Sequence, residues 1–347
     1  MKIKELPFKL PNKFIAYKPF DASRISILLA QESLCKEIYE NFLHFRIEKE
    51  IEKENIKLDC HFNEEFSSIG VKKVPIDIIT DLGIDFITFC RTAIEKDFYI
   101  FLPIETFEVS NYINYKKKYR PHHIFIYGYN NEKEVFYCSE FFSFDKGIYS
   151  SETVTYREME EAYYKLQTEL ESKVMLNEWA QWMKDIQLLH SFREYNDKFN
   201  IKRLILGLQN FLEENDCYGN KNYIKDVFYG FAIYDLIIEY INNILKSSKS
   251  NFDIKSLSLI FYRFRYMKLQ AQFIQENYSK YNQSIQSIID SYWEMEEKSY
   301  NALKLAIKFS ISHEKNILNK VINLIEELKK NDYIVTINYI ECLKNII

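Results

Sequence analysis

The sequence predicts an α+β protein, with an antiparallel sheet up to about residue 155 and an all-α helical domain beyond it. Three observations carry this. All six prolines (Pro7, Pro11, Pro19, Pro75, Pro103 and Pro121) fall in the first 121 residues. The remainder is free of the residue that breaks helices. The β-prone runs at 98–105, 122–129 and 134–142 also stop early, and apolar residues then recur at helical spacing. A chain of 347 residues exceeds what one small core takes, so domains 1–155 and 156–347 are expected.

A first helix is expected from near Asp21, whose carboxylate can cap it. Ile25, Leu28, Leu29, Cys35, Ile38, Phe42 and Phe45 continue it at helical spacing. Residues 48–55 (EKEIEKEN) read as a solvated helix end. Residues 75–81 read as a short helix or strand entry, 86–93 as a helix and 98–105 (FYIFLPIE) as a buried strand. Residues 122–129 and 134–142 pair as a hairpin across Asn130-Asn131, after a Gly128-Tyr129-Asn130 turn. Helices follow at about 156–192, 200–214, 222–246, 253–280, 282–312 and 314–346, with Thr155 or Ser151 as a cap for the first.

Hydrophobic residues make up 47% of the chain, which excludes wholesale disorder. A net charge of −4 gives no support for a nucleic-acid partner. The six cysteines (Cys35, Cys60, Cys90, Cys138, Cys217 and Cys342) are scattered without a CxxC pair. That pattern fits free thiols in a reducing compartment rather than a zinc ribbon. Residues 1–11 lack the apolar core of a signal peptide, and no uncharged apolar run reaches membrane-spanning length. A cytoplasmic protein without a membrane partner is expected. The histidines form no HExxH or other spaced metal pair, and no GxxxxGK[ST] or GxGxxG occurs among only seven glycines. Neither a metal nor a cofactor is expected.

One constellation points to chemistry. His122 heads a β-prone run and Glu140 sits on the next one. A histidine that takes a proton and an acid that holds its imidazole in one tautomer are half of a Cys-His-Asp type acyl-transfer site. His123 alternates to the other face of the strand with Phe125 and Tyr127, so one of the two histidines serves, and His122 is favoured.

Residues 115–163, together with IETF at 104–107, carry a resemblance, in that piece and in HHIFIYGYN, VFYCSEFF and TVTYREMEEAY. They resemble the C-terminal half of a papain-like fold. They are similar to the N-terminal domain of the butirosin-biosynthesis acyltransferase family and to the bacteriocin leader peptidases. FNIKRLILGLQNFLEE, YGFAIYDLIIEYI and FYRFRYMKLQ resemble the helical half of uncharacterised proteins of firmicutes, often encoded beside nonribosomal peptide synthetase genes. The resemblance covers nearly the whole chain, although no single motif is highly specific. It implies a papain-like first domain acting in peptide or other secondary-metabolite biosynthesis.

The sequence also departs from that pattern. Papain-like folds carry the nucleophilic cysteine at the N-terminus of the first helix, where the dipole lowers its pKa. Here that place reads Lys18-Pro19-Phe20-Asp21-Ala22-Ser23, without a cysteine. Ser23 has the location and a hydroxyl, although a serine in the first turn of a helix is more often a cap or surface residue. Glu140 stands where the family has Asp or Asn, and Asn130 where Asp often follows Gly-Tyr.

Two readings result. In the first, His122 is the base of an acyl transfer or amide formation or hydrolysis on a thioester-linked substrate, and Glu140 orients it. The nucleophile is then the acceptor amine or Ser23, while Glu105, Asp21 and Tyr17 contact a small peptide or acyl substrate. In the second, a degenerate pseudo-enzyme holds an acyl or peptidyl carrier protein or a synthetase. The basic run 115–120 (YKKKYR) suits an acidic partner or a solvated loop. Residues 262–268 (YRFRYMK) read as helix core, and Trp179 with Trp182 as a helix-interface anchor. A third possibility is a helical interaction protein unrelated to papain, which requires that 98–142 form no antiparallel sheet.

Overall fold

The structure is a computed structural model that describes residues 2–11, 18–41, 43–50, 55–62, 66–143, 148–172, 182–192, 199–216, 219–220, 226–246, 254–278 and 282–346. It is α+β, with antiparallel sheets and a helical C-terminal region. The chain folds as two compact units. One comprises Met1–Ile38 and Phe66–Asp197, the other Tyr39–Glu65 and Lys198–Ile347. Each unit is discontinuous in sequence, whereas the sequence suggested one cut after residue 155.

The first unit contains β1 (Ile3–Glu5), α1 (Pro19–Leu29) and most of α2 (Glu32–Glu40). After β2 (Leu43–Glu50) and β3 (Asn55–Phe62), which belong to the second unit, come β4 (Ile69–Pro75), α3 (Ile78–Asp81) and α4 (Phe86–Glu95). Strands β5 (Tyr99–Glu105), β6 (Pro121–Asn130), β7 (Val135–Ser143) and β8 (Ile148–Thr155), then α5 (Tyr156–Glu171) and β9 (Asp185–Ser191), complete the unit. A seven-stranded sheet runs in the order β4-β9-β5-β6-β7-β8, with β1 paired to β6.

Strand β5 is buried at all seven positions because helices cover both faces of the sheet. Cross-strand register defines the faces. Ile104 lies opposite His122 and Leu102 opposite Ile124, while Phe101 lies opposite Phe125 and Phe125 opposite Ser139. Helix α1 covers the Phe101 face: Phe20 meets the Phe101 ring edge-on at 6.2 Å, and Ala22 clusters with Phe141 and Tyr149. Helices α4 and α5 cover the other face, where Tyr156 packs on Phe136 at 4.6 Å and Phe86 stacks on Tyr163 at 4.3 Å. Asp85 caps α4 by accepting from the Thr88 amide. Thr155 and Glu158 form a capping box at α5, as the Thr155 expectation required.

Several local expectations are corrected. Asp21 does not cap α1: the cap is Lys18, Pro19 opens the helix, and Asp21 lies in the first turn. The helix expected to run on past Leu29 breaks at Ala30-Gln31, where the Gln31 side chain donates to Ser191 of β9. Residues 48–50 belong to a strand rather than a helix end, since β2 pairs with β3 from Leu43↔Phe62 to Glu50↔Asn55. The helix expected over 156–192 ends at Glu171, and 185–191 is strand β9, held between β4 and β5. Strand β8 lies beyond the hairpin that the sequence suggested. Gly128-Tyr129-Asn130 is strand rather than turn, because β1 pairs there from Ile3↔Asn130 to Glu5↔Gly128. A Cβ at Gly128 would lie 2.7 Å from the Lys4 carbonyl oxygen, so only glycine admits this approach. Asn130 still shapes the real turn, accepting from the Glu132 and Lys133 amides.

The second unit holds the three-stranded sheet β10-β2-β3, with β10 at Val227–Tyr229, and the helices α6 (Ile201–Leu212), α7 (Ile233–Lys246), α8 (Ile254–Asn277), α9 (Asn282–Ser312) and α10 (Lys315–Lys344). The helix expected over 222–246 therefore begins only at Ile233, after β10 and a 3-10 turn at Gly230–Ala232. Within 262–268, Arg263, Phe264, Tyr266 and Met267 are buried core, while Tyr262, Arg265 and Lys268 are partly exposed. The Arg263 guanidinium forks onto Asp332, with Nη2 3.0 Å from Oδ1 and Nε 3.2 Å from Oδ2. Tyr234 donates to Asp332 Oδ2 at 2.7 Å and Thr336 to Oδ1 at 3.1 Å. One carboxylate thus ties α7, α8 and α10 together.

Removing one partner of a buried, hydrogen-bonded ion pair costs about 3–5 kcal/mol, whereas replacing both with apolar groups costs less. Asp332→Ala should therefore destabilise the chain by about that amount in denaturant unfolding, and Arg263→Met/Asp332→Leu by less. A loss below about 1 kcal/mol in the single variant would show that the network is dispensable.

Candidate functional site

Register brings His122 and Glu140 together. Phe125 pairs with Ser139 and Ile126 with Cys138, so by alternation Glu140, next after Ser139, shares the face of Ile126, Ile124 and His122. His122 Nδ1 lies 3.5 Å from Glu140 Oε1, an ion-pair separation longer than a tight hydrogen bond. The Glu140 side chain is fully buried and the imidazole retains 16% of its exposure. Glu140 Oε1 also accepts from the Phe141 amide at 2.7 Å, while Oε2 is buried and finds no hydrogen-bond partner among the described residues. Burial pushes the Glu140 carboxyl above the usual carboxylate range, against the opposing pull of His122, the Phe141 amide and Arg120. Nδ1 also lies 3.3 Å from the His123 carbonyl oxygen, so with Nδ1 protonated toward these two acceptors Nε2 is left as the imidazole's proton-accepting atom.

Two neighbours of the pair carry no motif. Tyr112 lies close enough to Glu140 for the carboxylate to help burial raise its phenol. Arg120, directly before Pro121, adds positive potential at Glu140. Both come from the loop between β5 and β6, which is anchored by Ile113 N to the Phe142 carbonyl at 3.2 Å and by Asn114 Nδ2 to Thr106 Oγ1 at 2.7 Å. No spacing rule places such a loop over β7: the sequence marked Arg120 only as the end of the basic run 115–120 and carried no signal for Tyr112.

Glu105 ends β5 at the edge of this region, opposite Pro121. Its Oε1 accepts from the Phe107 amide at 3.2 Å and the Arg120 amide at 2.5 Å. Burial, then the nearby Glu169 carboxylate, pushes its carboxyl up to about 7 against those two amides. Two amides on one oxygen and full burial make Glu105 an anchor for the loop, in addition to any contact with substrate.

The remaining candidates are placed elsewhere. Ser23 is fully buried, and its hydroxyl donates to the Phe20 carbonyl at 2.9 Å. It belongs to α1, which covers the face opposite to His122. The histidine on the α1 face is His123, stacked on Phe101 at 4.5 Å with Nε2 3.1 Å from the Trp182 carbonyl. Burial, then the His122 charge, holds His123 down to about 3. Asp21 sits with Ser23 on α1, away from the pair, and Tyr17 lies outside the described residues.

The described cysteines offer no activated thiol. Cys90 and Cys138 are buried, and burial raises both. Cys35 is raised by burial and then by Glu32. Cys217 and the side chains of Cys60 and His61 lie outside the described residues. His44 is buried, with Nε2 2.7 Å from the Asn215 carbonyl, and His190 lies over Gly70 across the β4–β9 pair. Trp182 is 72% exposed, which excludes it as an interface anchor within the chain. In the basic run 115–120 all six residues are exposed, and Lys116 pairs with Glu108. Among the described residues no three His, Cys, Asp or Glu side chains converge as metal ligands, and no helix is long and apolar enough to cross a membrane. A cavity of about 460 Å³ lies at the other end of β5, beside Phe98, Tyr99 and His190.

Neither the protein-family models nor the curated proteins give a match to this chain. The geometry of these residues therefore carries the functional argument.

A carboxyl raised in the folded state holds its proton more tightly there than when unfolded. Its stabilising contribution is present at low pH and is lost as pH rises from its ordinary value of 4.5 through about 7. Unfolding free energy should thus fall across that window, by at most about 1.4 kcal/mol per pH unit for one proton. Glu105→Gln should flatten the decline. An unchanged slope in that variant would assign the pH dependence to other groups.

Proposed function

We propose that His122 and Glu140 form a proton-transfer pair for acyl transfer from a thioester to an acceptor amine, without a covalent acyl-enzyme. The observation that carries this reading is the pairing itself: a partly exposed imidazole 3.5 Å from a fully buried carboxyl group on the neighbouring strand. In the step envisaged, the amine nitrogen attacks the thioester carbonyl carbon while His122 Nε2 takes its proton. The tetrahedral intermediate collapses with loss of the C–S bond, and the imidazolium returns the proton to the departing thiolate. Glu140 holds the ring and stabilises the transient imidazolium. A thioester-linked acyl or peptidyl group on a carrier protein is the substrate class, with a synthetase as its source. The first unit is then read as a papain-like domain that lacks the helix-borne nucleophile, and the protein as an accessory of peptide or related secondary-metabolite biosynthesis.

The placement of Ser23 favours direct transfer over an acyl-Ser23 intermediate, since that hydroxyl is buried and committed to a backbone carbonyl. The antiparallel pairing of β5, β6 and β7 removes the support for a helical protein without such a sheet. A second reading, a pseudo-enzyme that binds a carrier protein or synthetase, is favoured by the buried, raised thiols of Cys90 and Cys138.

Incubation with a panel of acyl-thioesters and amines, followed by product and intact-protein mass spectrometry, tests the proposal. Amide product is expected from the wild type, reduced by about 10²–10⁴-fold in His122→Ala. Ser23→Ala should match the wild type, and no protein adduct should accumulate. Product that survives in His122→Ala, or an acyl adduct at Ser23, would overturn it. No product from folded wild type would favour the pseudo-enzyme, whose readout is carrier-protein binding.

A further inference from the structure

Helix α9 runs for 31 residues. Its inward side carries Tyr292, Met295, Ser299, Ala302, Ala306 and Phe309, all buried. Its outward side carries large apolar groups too. Trp293, Tyr300 and Ile307 recur every seven residues and Ile311 follows, all exposed, Trp293 to 57% and Ile311 to 79%. A seven-residue apolar repeat left open to solvent is the pattern of a helix seam awaiting another helix.

The charges beside that stripe are divided by halves. At about 100° per residue, Asp290 and Glu297 flank the stripe near its start, and Lys304 and Lys308 flank it near its end. Other charges of α9 are matched within the chain: Glu296 with Arg265 at 2.8 Å and with Lys268, and Lys298 with Glu294 at 2.6 Å and Glu327 at 2.5 Å. Among the described residues no ion pair engages Glu297, Lys304 or Lys308, although Lys304 lies over the Tyr300 ring at 4.7 Å.

We propose that this face docks a second copy of the chain, α9 against α9, antiparallel about a twofold axis at Tyr300. Centred there, the partner's Ile307 meets Trp293 and the two Tyr300 rings meet each other. Within one helical turn of that register, the partner's Lys304 reaches Glu297 and the partner's Lys308 reaches Asp290. A parallel crossing would set acid against acid and base against base. An acidic or a basic partner of another kind would match only one half of the stripe. A surface whose two halves are complementary to each other is what an isologous contact requires. The assignment is independent of the chemistry proposed for His122.

Sedimentation velocity of the full chain over about 1–100 μM tests it, with circular dichroism to verify folding. A dimer is expected, weakened by about tenfold or more in Ile307→Ser and likewise in Glu297→Lys and Lys304→Glu, each of which sets like charges together. The double variant Glu297→Lys/Lys304→Glu restores opposite charges and should recover the dimer. A wild-type chain that stays monomeric at about 100 μM would overturn the proposal. So would a dimer indifferent to Ile307→Ser, or a double variant no stronger than the single ones.

Discussion

A carboxyl group on a sheet covered from both sides is the constraint around which the first unit is organised. Glu140 stands on β7 with helices on both faces of the sheet, where an isolated charge is costly. The compensation is local. The Phe141 amide donates to one oxygen, His122 stands 3.5 Å away, and Arg120 adds positive potential. Those partners still leave the carboxyl group raised. The imidazole Nδ1 lies between that carboxyl group and the His123 carbonyl oxygen, 3.5 Å from one and 3.3 Å from the other. This couples the orientation of His122 to the integrity of the β6–β7 register, and a slip by one residue would carry the ring to the α1 face.

The second unit meets the same problem with a different answer. Asp332 is as buried as Glu140, yet a bidentate guanidinium and two hydroxyls surround it. Nothing ionisable there reaches solvent: Arg263 is fully buried and lies against the Phe211 ring at 3.7 Å. A sealed network in which both carboxylate oxygens accept hydrogen bonds suits a positional role among helices. The His122–Glu140 pair differs in both respects, because one carboxyl oxygen has no partner among the described residues and the imidazole keeps access to water. That contrast is the physical reason for looking to the sheet, rather than the bundle, for chemistry.

Much of the hairpin was legible in the sequence, because β6 and β7 are neighbours in the chain and both are strongly β-prone runs. The separation of His123 from His122 follows from strand alternation, but Glu140 reaches the His122 face only because the register shifts by one residue between Ile126 and Gly128; the turn register of Asn130↔Val135 carried on unbroken would set Glu140 opposite Phe125. Strand β9 was not legible. DIQLLHS gains its strand identity from β4 and β5, both far earlier in the chain, and local pattern cannot report such partners. The charged segment after Leu43 misled for a related reason. Its Glu and Lys residues favour helix intrinsically, and pairing with β3 and β10 overrides that preference. The loop that brings Tyr112 and Arg120 to Glu140 has no periodicity at all. The long helices after residue 254 were read nearly to their ends, since amphipathic spacing persists over many turns.

The faces of the sheet also bear on mechanism. A covalent route needs its nucleophile on the same side as its base, and α1 lies on the side of His123. His123 is unsuited to replace His122 there, since burial holds it neutral and the Trp182 carbonyl engages its Nε2. A base on one face and a potential hydroxyl on the other cannot cooperate through a packed sheet whose central strand is buried throughout. If His122 moves a proton in catalysis, the group it deprotonates must therefore arrive with the substrates. An acceptor amine beside an acyl-thioester meets that requirement, because the thioester supplies the leaving group and the amine supplies the proton that the thiolate finally takes.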